Sequence, residues 1–460
     1  MDIPAVIFRQ YDIRGLVGEE LTAPLAHAVG RALATVGRQA VGRDPHVAVG
    51  RDNRPSGELL ARAMRDGIAA AGGTAVDVGM LPTPALYFAL HELAVDGGVQ
   101  ITGSHNPPEF NGFKMVMADE TLHGDAIQRI RVLIQDDQLD SGHGTITADD
   151  SVLRRYCEKI ADVIGPLERP VKVAVDCGNG VASLVAESIL TGIGAHVIPL
   201  FCESDGTFPN HHPDPTVMKN LVDLQQTVRR AGAELGIAFD GDGDRIGAVD
   251  ESGKVVYGDQ LLILFGRDLV ERTGPGGSVI FDVKCSNILG EKLREAGLTP
   301  VIWKTGHSLI KAKMKETKAA LAGEMSGHMF FGGDYYGYDD AVFAAARLLA
   351  YLSRRAGPLS RLLADLPQTF ATPEIRVECS EEQKFAIVEQ AAQYFGERYE
   401  VLTLDGVRIS FSDGWGLIRA SNTQPVLVMR FEATTEQKLA LYRGEIERWL
   451  TEQGIAPQRD

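Results

Sequence analysis

Two kinds of apolar pattern alternate along this chain, and their alternation recurs three times. HVAVGRD at 46–52 is a short apolar run that ends in polar residues, the pattern of a buried strand. SGELLARAMRDGIAAAGG then reads as an amphipathic helix stopping at glycine, and TAVDVG as a second strand. VKVAVDCGNG at 171–180 opens the same order, followed by VASLVAESILTGIG and AHVIPL. SVIFDVKCSN at 278–287 opens it again, followed by ILGEKLREAGL and TPVIWK. A strand-to-strand spacing of roughly 20–27 residues suits βαβ units with right-handed crossovers. The repeat predicts three α/β domains of similar topology.

The pattern changes after Pro367. EIRVEC, YEVLTLDGVRISF, GWGLIRAS and PVLVMRFEA read as antiparallel strands, accompanied by two helical stretches, EEQKFAIVEQAAQYFGE and TTEQKLALYRGEIERWLTEQ. This predicts a separate α+β domain. The polar run QDDQLDSGHGTITADD and the turn ESGK mark two earlier boundaries. The expected domains are 1–148, 149–252, 253–367 and 368–460.

Length and composition agree with this division. A chain of 460 residues is too long for one core. Its 44% hydrophobic and 23% charged residues are those of an ordinary globular protein. A net charge of −16 argues against a nucleic-acid or anionic-membrane partner, while leaving room for a local basic pocket. The five cysteines, Cys157, Cys177, Cys202, Cys285 and Cys379, are scattered, form no CxxC pair and read as incidental thiols of a reducing compartment. With no signal-like start and no long apolar run, a cytoplasmic protein is expected.

Four polar stretches interrupt the pattern. In TGSHNPPEFNGFK at 102–114, Ser104 follows a strand on a loop stiffened by Gly103, Pro107 and Pro108. That is a place for a nucleophile or a modified side chain, although such clusters are most often plain turns. In DGDGDR at 240–245, Asp240, Asp242 and Asp244 alternate with glycines between two strands. Three acids in five residues repel one another without a cation, and oxygen ligands favour Mg²⁺. A Ca²⁺ loop ending at Glu251 is the rival reading, but Arg245 stands where that loop needs glycine. Arg245 is also placed to pair with a phosphate at the metal. GEMSGHMFF at 323–331 offers Glu324, Ser326 and His328 for sugar hydroxyls, and RASNTQP at 419–425 offers Arg419, Ser421, Asn422 and Thr423 as an anion cradle, with Arg430 on the next strand. YDIRG places Tyr11 and Arg14 near the start, and Lys284 and His307 lie on loops of the third domain.

In this order, TGSHNPP, DGDGDR, GEMSGH and RASNTQP resemble the α-D-phosphohexomutase family, most closely its bacterial phosphomannomutase/phosphoglucomutase members. The resemblance spans the chain and includes YDIRG. It implies three α/β domains and a C-terminal α+β domain around a central cleft. It implies a phosphoserine at Ser104, Mg²⁺ held by Asp240, Asp242, Asp244 and that phosphate, and Arg14, His105, Lys114 and Arg245 beside it. Glu324, Ser326 and His328 would read the sugar. Arg419, Ser421, Asn422, Thr423 and Arg430 would hold the non-reacting phosphate, and Tyr11, Lys284, Gly306 and His307 match further cleft positions. The implied reaction interconverts hexose 1- and 6-phosphates of mannose or glucose through a 1,6-bisphosphate, with glucose 1,6-bisphosphate as activator. Lys114 is the first candidate general base and requires a depressed pKa; His328 is the second. Met325 favours the glucose/mannose branch over phosphoglucosamine mutases. A non-catalytic sugar-phosphate-binding protein is the alternative of a different class, and a monomer is expected.

Overall fold

The computed structural model describes residues 3–421 and 425–455. Its strands form four sheets, one for each domain of the sequence pattern. In the first, Gly97–Ile101, His46–Arg51, Thr74–Met80 and Thr145–Ala148 run parallel in that order, and Phe110–Met117 and Ile13–Leu16 add antiparallel strands at one side. The second sheet orders Leu235–Phe239, Lys172–Asp176 and His196–Leu200 in parallel, with Ile246–Asp250 antiparallel beside the first of them. The third orders Leu321–Gly323, Ser278–Asp282 and Thr299–Trp303 in parallel, with Met329–Phe331 antiparallel.

These sheets share one plan. In each, the first strand of the repeat lies at the centre, the second on one side and a later strand on the other. That later strand turns back as an antiparallel neighbour. The loop at the turn leaves the carboxyl end of a parallel strand, where α/β sheets place their ligands. The three turns are 102–109, 240–245 and 324–328, which are three of the four polar stretches of the sequence. The fourth sheet is antiparallel and builds on Val426–Ala433, Gly414–Ala420, Val407–Phe411 and Glu400–Leu402.

Two elements differ from the sequence pattern. Thr145–Ala148, inside the polar run that marks the first boundary, pairs with Thr74–Asp77 as an edge strand. All four of its residues are exposed, so no buried apolar face marks it. VASLVAESILTGIG is not one helix: a 3₁₀ turn, Val181–Leu184, breaks at Val185 before the helix Ala186–Gly192. The start of the turn is tied down by the Val181 N–H, which donates to the carbonyl of Gly241 in the acidic loop (3.0 Å).

One continuous core runs through the second and third domains and includes the helix Thr83–Glu92 of the first. The fourth domain has a core of its own. It meets the third through a small apolar patch, Val283, Trp415 and Leu417, and through polar contacts. Arg408 lies over the Trp415 ring at 3.8 Å and donates to the carbonyls of Val283 and Cys285, and Arg430 donates to the carbonyl of Lys284 (2.6 Å).

Candidate active site

The four polar stretches face one cleft of about 1230 Å³. Ser104 lies in its wall, 1% exposed, with a left-handed φ of +50°. A serine pays strain for that conformation, and the loop holds it there. The Ser104 N–H donates to Thr102 Oγ1 (2.8 Å), and Thr102 Oγ1 donates to Asp52 (2.7 Å). Arg54 lies beneath. Its guanidinium pairs with Asp52 at 3.1 Å and donates to the carbonyls of Ser104 (2.7 Å), Asn106 (2.6 Å), Pro107 and Phe110 (2.9 Å). Gly103 is required here: a Cβ would stand 2.5 Å from the Arg54 guanidinium carbon. The clamp leaves Ser104 Oγ facing the acidic loop, where it donates to Asp240 Oδ2 (2.9 Å) and lies 3.1 Å from His105 Nδ1.

Asp240, Asp242 and Asp244 are fully buried, with one oxygen from each inside a 4.8 Å cluster. Asp240 is tied by the N–H groups of Asp244 and Arg245 (3.1 Å each), and Asp242 by Thr83 Oγ1 (2.5 Å). Burial, then Asp242 and Asp244, push Asp240 well above the ordinary carboxylate range. Asp242 Oδ1 and Asp244 Oδ1 are buried without a hydrogen-bond partner. Acid crowding and two orphaned oxygens are what a hard cation relieves, so the donor set fits Mg²⁺.

Lys114 reaches the acidic loop. Its Nζ pairs with Asp242 (2.7 Å) and Asp244 (2.5 Å). Burial works against its charge, but the two carboxylates outweigh it and hold the ammonium well above its ordinary value. A lysine base needs the opposite shift. His328 is placed differently. Its Nε2 accepts from Arg245 Nε (2.9 Å), while Nδ1 lies 3.0 Å from Asp339 Oδ2. The proton therefore belongs on Nδ1, facing the carboxylate, which leaves the Nε2 lone pair toward Arg245. Asp339 is fully buried and also pairs with Lys311 (3.0 Å), and His307 stacks on His328 with ring centroids 5.6 Å apart.

The remaining residues line the rest of the cleft. Glu324 is buried with Oε1 unpartnered, and burial raises its pKa. Ser326 is half-buried beside it. Arg14 bonds Asp12 and Asn106. Tyr11 donates to the carbonyl of Thr305 (2.8 Å) and packs against Gly306, where a Cβ would meet its ring at 2.6 Å. Lys284 pairs with Glu374 (2.8 Å) and Arg419 with Asp405 (2.8 Å), so both cations are held by acids. Ser421 is buried, and Arg430 joins Lys284 through its carbonyl. Asn422 and Thr423 lie outside the described residues.

Sequence profiles of a known family divide the chain in the same way. Those for "Phosphoglucomutase/phosphomannomutase, alpha/beta/alpha" domains I, II and III match residues 5–140, 154–253 and 257–370, and that for its C-terminal domain matches 374–448. This chain belongs to the phosphoglucomutase/phosphomannomutase family. Among its relatives, the phosphomannomutase/phosphoglucomutase of Pseudomonas aeruginosa is 50% identical over 440 residues, covering 95% of this chain and 94% of that protein. A phosphoglucomutase of Neisseria meningitidis is 45% identical over 446 residues, covering 96% of each. A crystal structure of a family member from Burkholderia thailandensis superposes with a TM-score of 0.91 at 43% identity, covering 98% of both chains. The fold is therefore the four-domain phosphohexomutase architecture.

Within that family frame, the sequence motifs missed five supporting residues. Asp52 and Arg54 stood in GRDNRP, read only as a strand end. Asp339 stood in YYGYDD, which carries no glycine-flanked motif. Glu374 pairs with Lys284 from across a domain boundary and Asp405 with Arg419 from a loop 14 residues away, and one sequence carries no signal for such contacts. No helix among the described residues is long and apolar enough to cross a membrane.

Proposed function

We propose that this chain interconverts hexose 1-phosphates and hexose 6-phosphates, as a phosphomannomutase/phosphoglucomutase, through a phosphoryl group carried on Ser104. The observation that supports this most is the aim of Ser104: its Oγ, on a clamped loop, points into the acidic triad at 2.9 Å from Asp240. A phosphate on that oxygen would join Asp240, Asp242 and Asp244 as ligands of one Mg²⁺. A bound Mg²⁺ supplies positive charge against the oxygens of the transferred phosphoryl group.

The chain's residues do the rest. Arg14, His105 and Arg245 surround the phosphoserine and hold its charge. The phosphoryl group leaves Ser104 Oγ for the free hydroxyl of the sugar as that hydroxyl gives up its proton. His328 Nε2 is the base we assign, with Asp339 orienting its ring. The resulting 1,6-bisphosphate turns over in the cleft and returns its other phosphate to Ser104, and the base gives its proton to the oxygen released. Glu324 and Ser326 grip hydroxyls common to glucose and mannose. Arg419, Ser421, Asn422, Thr423 and Arg430 form the site for the distal phosphate, which recognises phosphate in either sugar orientation, and Tyr11, Lys284, Gly306 and His307 are further substrate-binding positions of the cleft. We assign domain edges at 148, 252 and 367, a monomeric enzyme and a cytoplasmic location.

The test is a coupled assay with glucose 1-phosphate, mannose 1-phosphate and glucosamine 1-phosphate, each with glucose 1,6-bisphosphate as activator. Faster turnover of the two neutral sugars is expected. Predominant turnover of the amino sugar would overturn the assignment and place the chain with phosphoglucosamine mutases.

A further inference from the structure

The scattered cysteines of the sequence include a pair. Cys177 follows the strand Lys172–Asp176 and Cys202 follows the adjoining strand His196–Leu200. The strands pair in parallel with Asp176 opposite Leu200, and the Cys177 N–H donates to the Leu200 carbonyl (3.1 Å). The two sulfurs lie 3.2 Å apart, and both thiols are free. Neighbouring strands give the backbone separation that a disulfide spans. Cys177 is fully buried, whereas Cys202 is half-buried and is the sulfur an oxidant reaches first. The hydrogen bond between them lowers the pKa of Cys202 and raises that of Cys177. The more exposed Cys202 is placed to attack an oxidant and the buried Cys177 to resolve it.

The segment beginning at Cys177 touches both halves of the candidate active site. Gly180 packs on the acidic loop, where a Cβ would stand 2.9 Å from the Gly241 carbonyl oxygen, and Val181 bonds that same oxygen. The Asn179 carbonyl accepts from Asn53 Nδ2 (2.7 Å), next in sequence to the Arg54 that clamps the Ser104 loop. Asn179 Nδ2 donates to the carbonyl of Glu203, beside Cys202 (2.8 Å).

We propose that Cys177 and Cys202 form a reversible disulfide on exposure to a hydroperoxide, and that this bond displaces the 177–181 segment against the acidic loop and slows turnover. The Cys202 sulfur attacks the peroxide, the O–O bond breaks, and a sulfenic acid and one water (or alcohol) form. The Cys177 sulfur then displaces the sulfenic oxygen as a second water. Two thiols lose two electrons and two protons, and the peroxide is reduced. A dithiol reverses the bond by exchange. Closure from 3.2 Å to about 2.05 Å draws Cys177 toward Cys202 and pulls on the segment that bonds Gly241, where a misplacement of about an ångström is able to cost one or two orders of magnitude in rate.

The test treats the full chain with a small excess of hydrogen peroxide, then counts free thiols, maps peptides and measures turnover. Wild type should lose two thiols, yield a peptide pair joined through Cys177 and Cys202, and turn over about tenfold more slowly, with dithiothreitol restoring all three. Cys202→Ser should keep its turnover at the same dose, and Cys177→Ser should accumulate a dimedone-reactive Cys202. Absence of the joined peptides, or a disulfide that leaves turnover unchanged, would overturn the proposal. The slowing of turnover rests on the mutase reading; thiol counting and peptide mapping do not, so failure of one is distinguishable from failure of the other.

Discussion

Arg54 shows what a single residue must do for Ser104 to face the acidic loop. It is 1% exposed, pairs with Asp52 and donates to four carbonyls of the 104–110 loop. Lysine cannot reproduce that fork, because an ammonium has three donors and no plane. Arg54→Lys should therefore lose turnover by at least an order of magnitude while its fold persists. Arg54→Ala, which leaves Asp52 buried and unpaired, should lose about 3–5 kcal/mol of stability as well. Circular dichroism melts alongside initial rates check both, and full activity in Arg54→Lys would show that the loop holds itself. Ser104 and the three aspartates were legible because their chemistry is local: a serine on a stiff turn, and acids packed too densely to stand alone. Arg54 and Asp339 were not, because a buried charge that serves a distant loop looks in sequence like any other charge.

Among the elements, the helix Ala341–Ser353 carries the clearest pH signature. Asp340 caps it by accepting from the Phe343 N–H (2.8 Å), and it also accepts from Tyr156 (2.9 Å) and Tyr335 (2.9 Å). Burial raises its pKa to about 6, with those donors opposing the rise. A carboxyl raised in the folded state contributes stability that is full below its unfolded value and lost as pH rises through 6. A rise from the ordinary carboxylate value to about 6 amounts to about 3 kcal/mol. Asp340→Asn should remove that pH dependence, so the stability of the variant relative to wild type should improve between pH 4 and pH 7. Urea titrations of both proteins at the two values check this, and a difference independent of pH would contradict it. The element pattern itself was largely readable, because buried strands and amphipathic helices write their period into the chain. The edge strand Thr145–Ala148 was not, since it buries no apolar side chain, nor was the broken helix at Val185, which is set by its contact with the acidic loop.

At the scale of the molecule, three domains share packed apolar surface and the fourth is attached through a small apolar patch and polar contacts. Lys284 holds Glu374, whose pKa falls to about 2, and Ser286 donates to Glu432 (2.6 Å). A phosphate entering the cleft competes with Glu374 for Lys284, which couples binding to the seating of the fourth domain. Glu374→Gln should free Lys284, giving a larger radius of gyration without ligand by small-angle scattering and a lower KM. An unchanged radius and KM would mean that the pair holds nothing in place. The central claim is that Ser104 carries the phosphoryl group, and intact-mass spectrometry after incubation with glucose 1,6-bisphosphate tests it most directly. Wild type should gain one phosphoryl group, located on Ser104, and discharge it into added hexose phosphate, while Ser104→Ala should gain none and lose turnover. A phosphoryl group on another residue, or normal turnover in Ser104→Ala, would contradict the account.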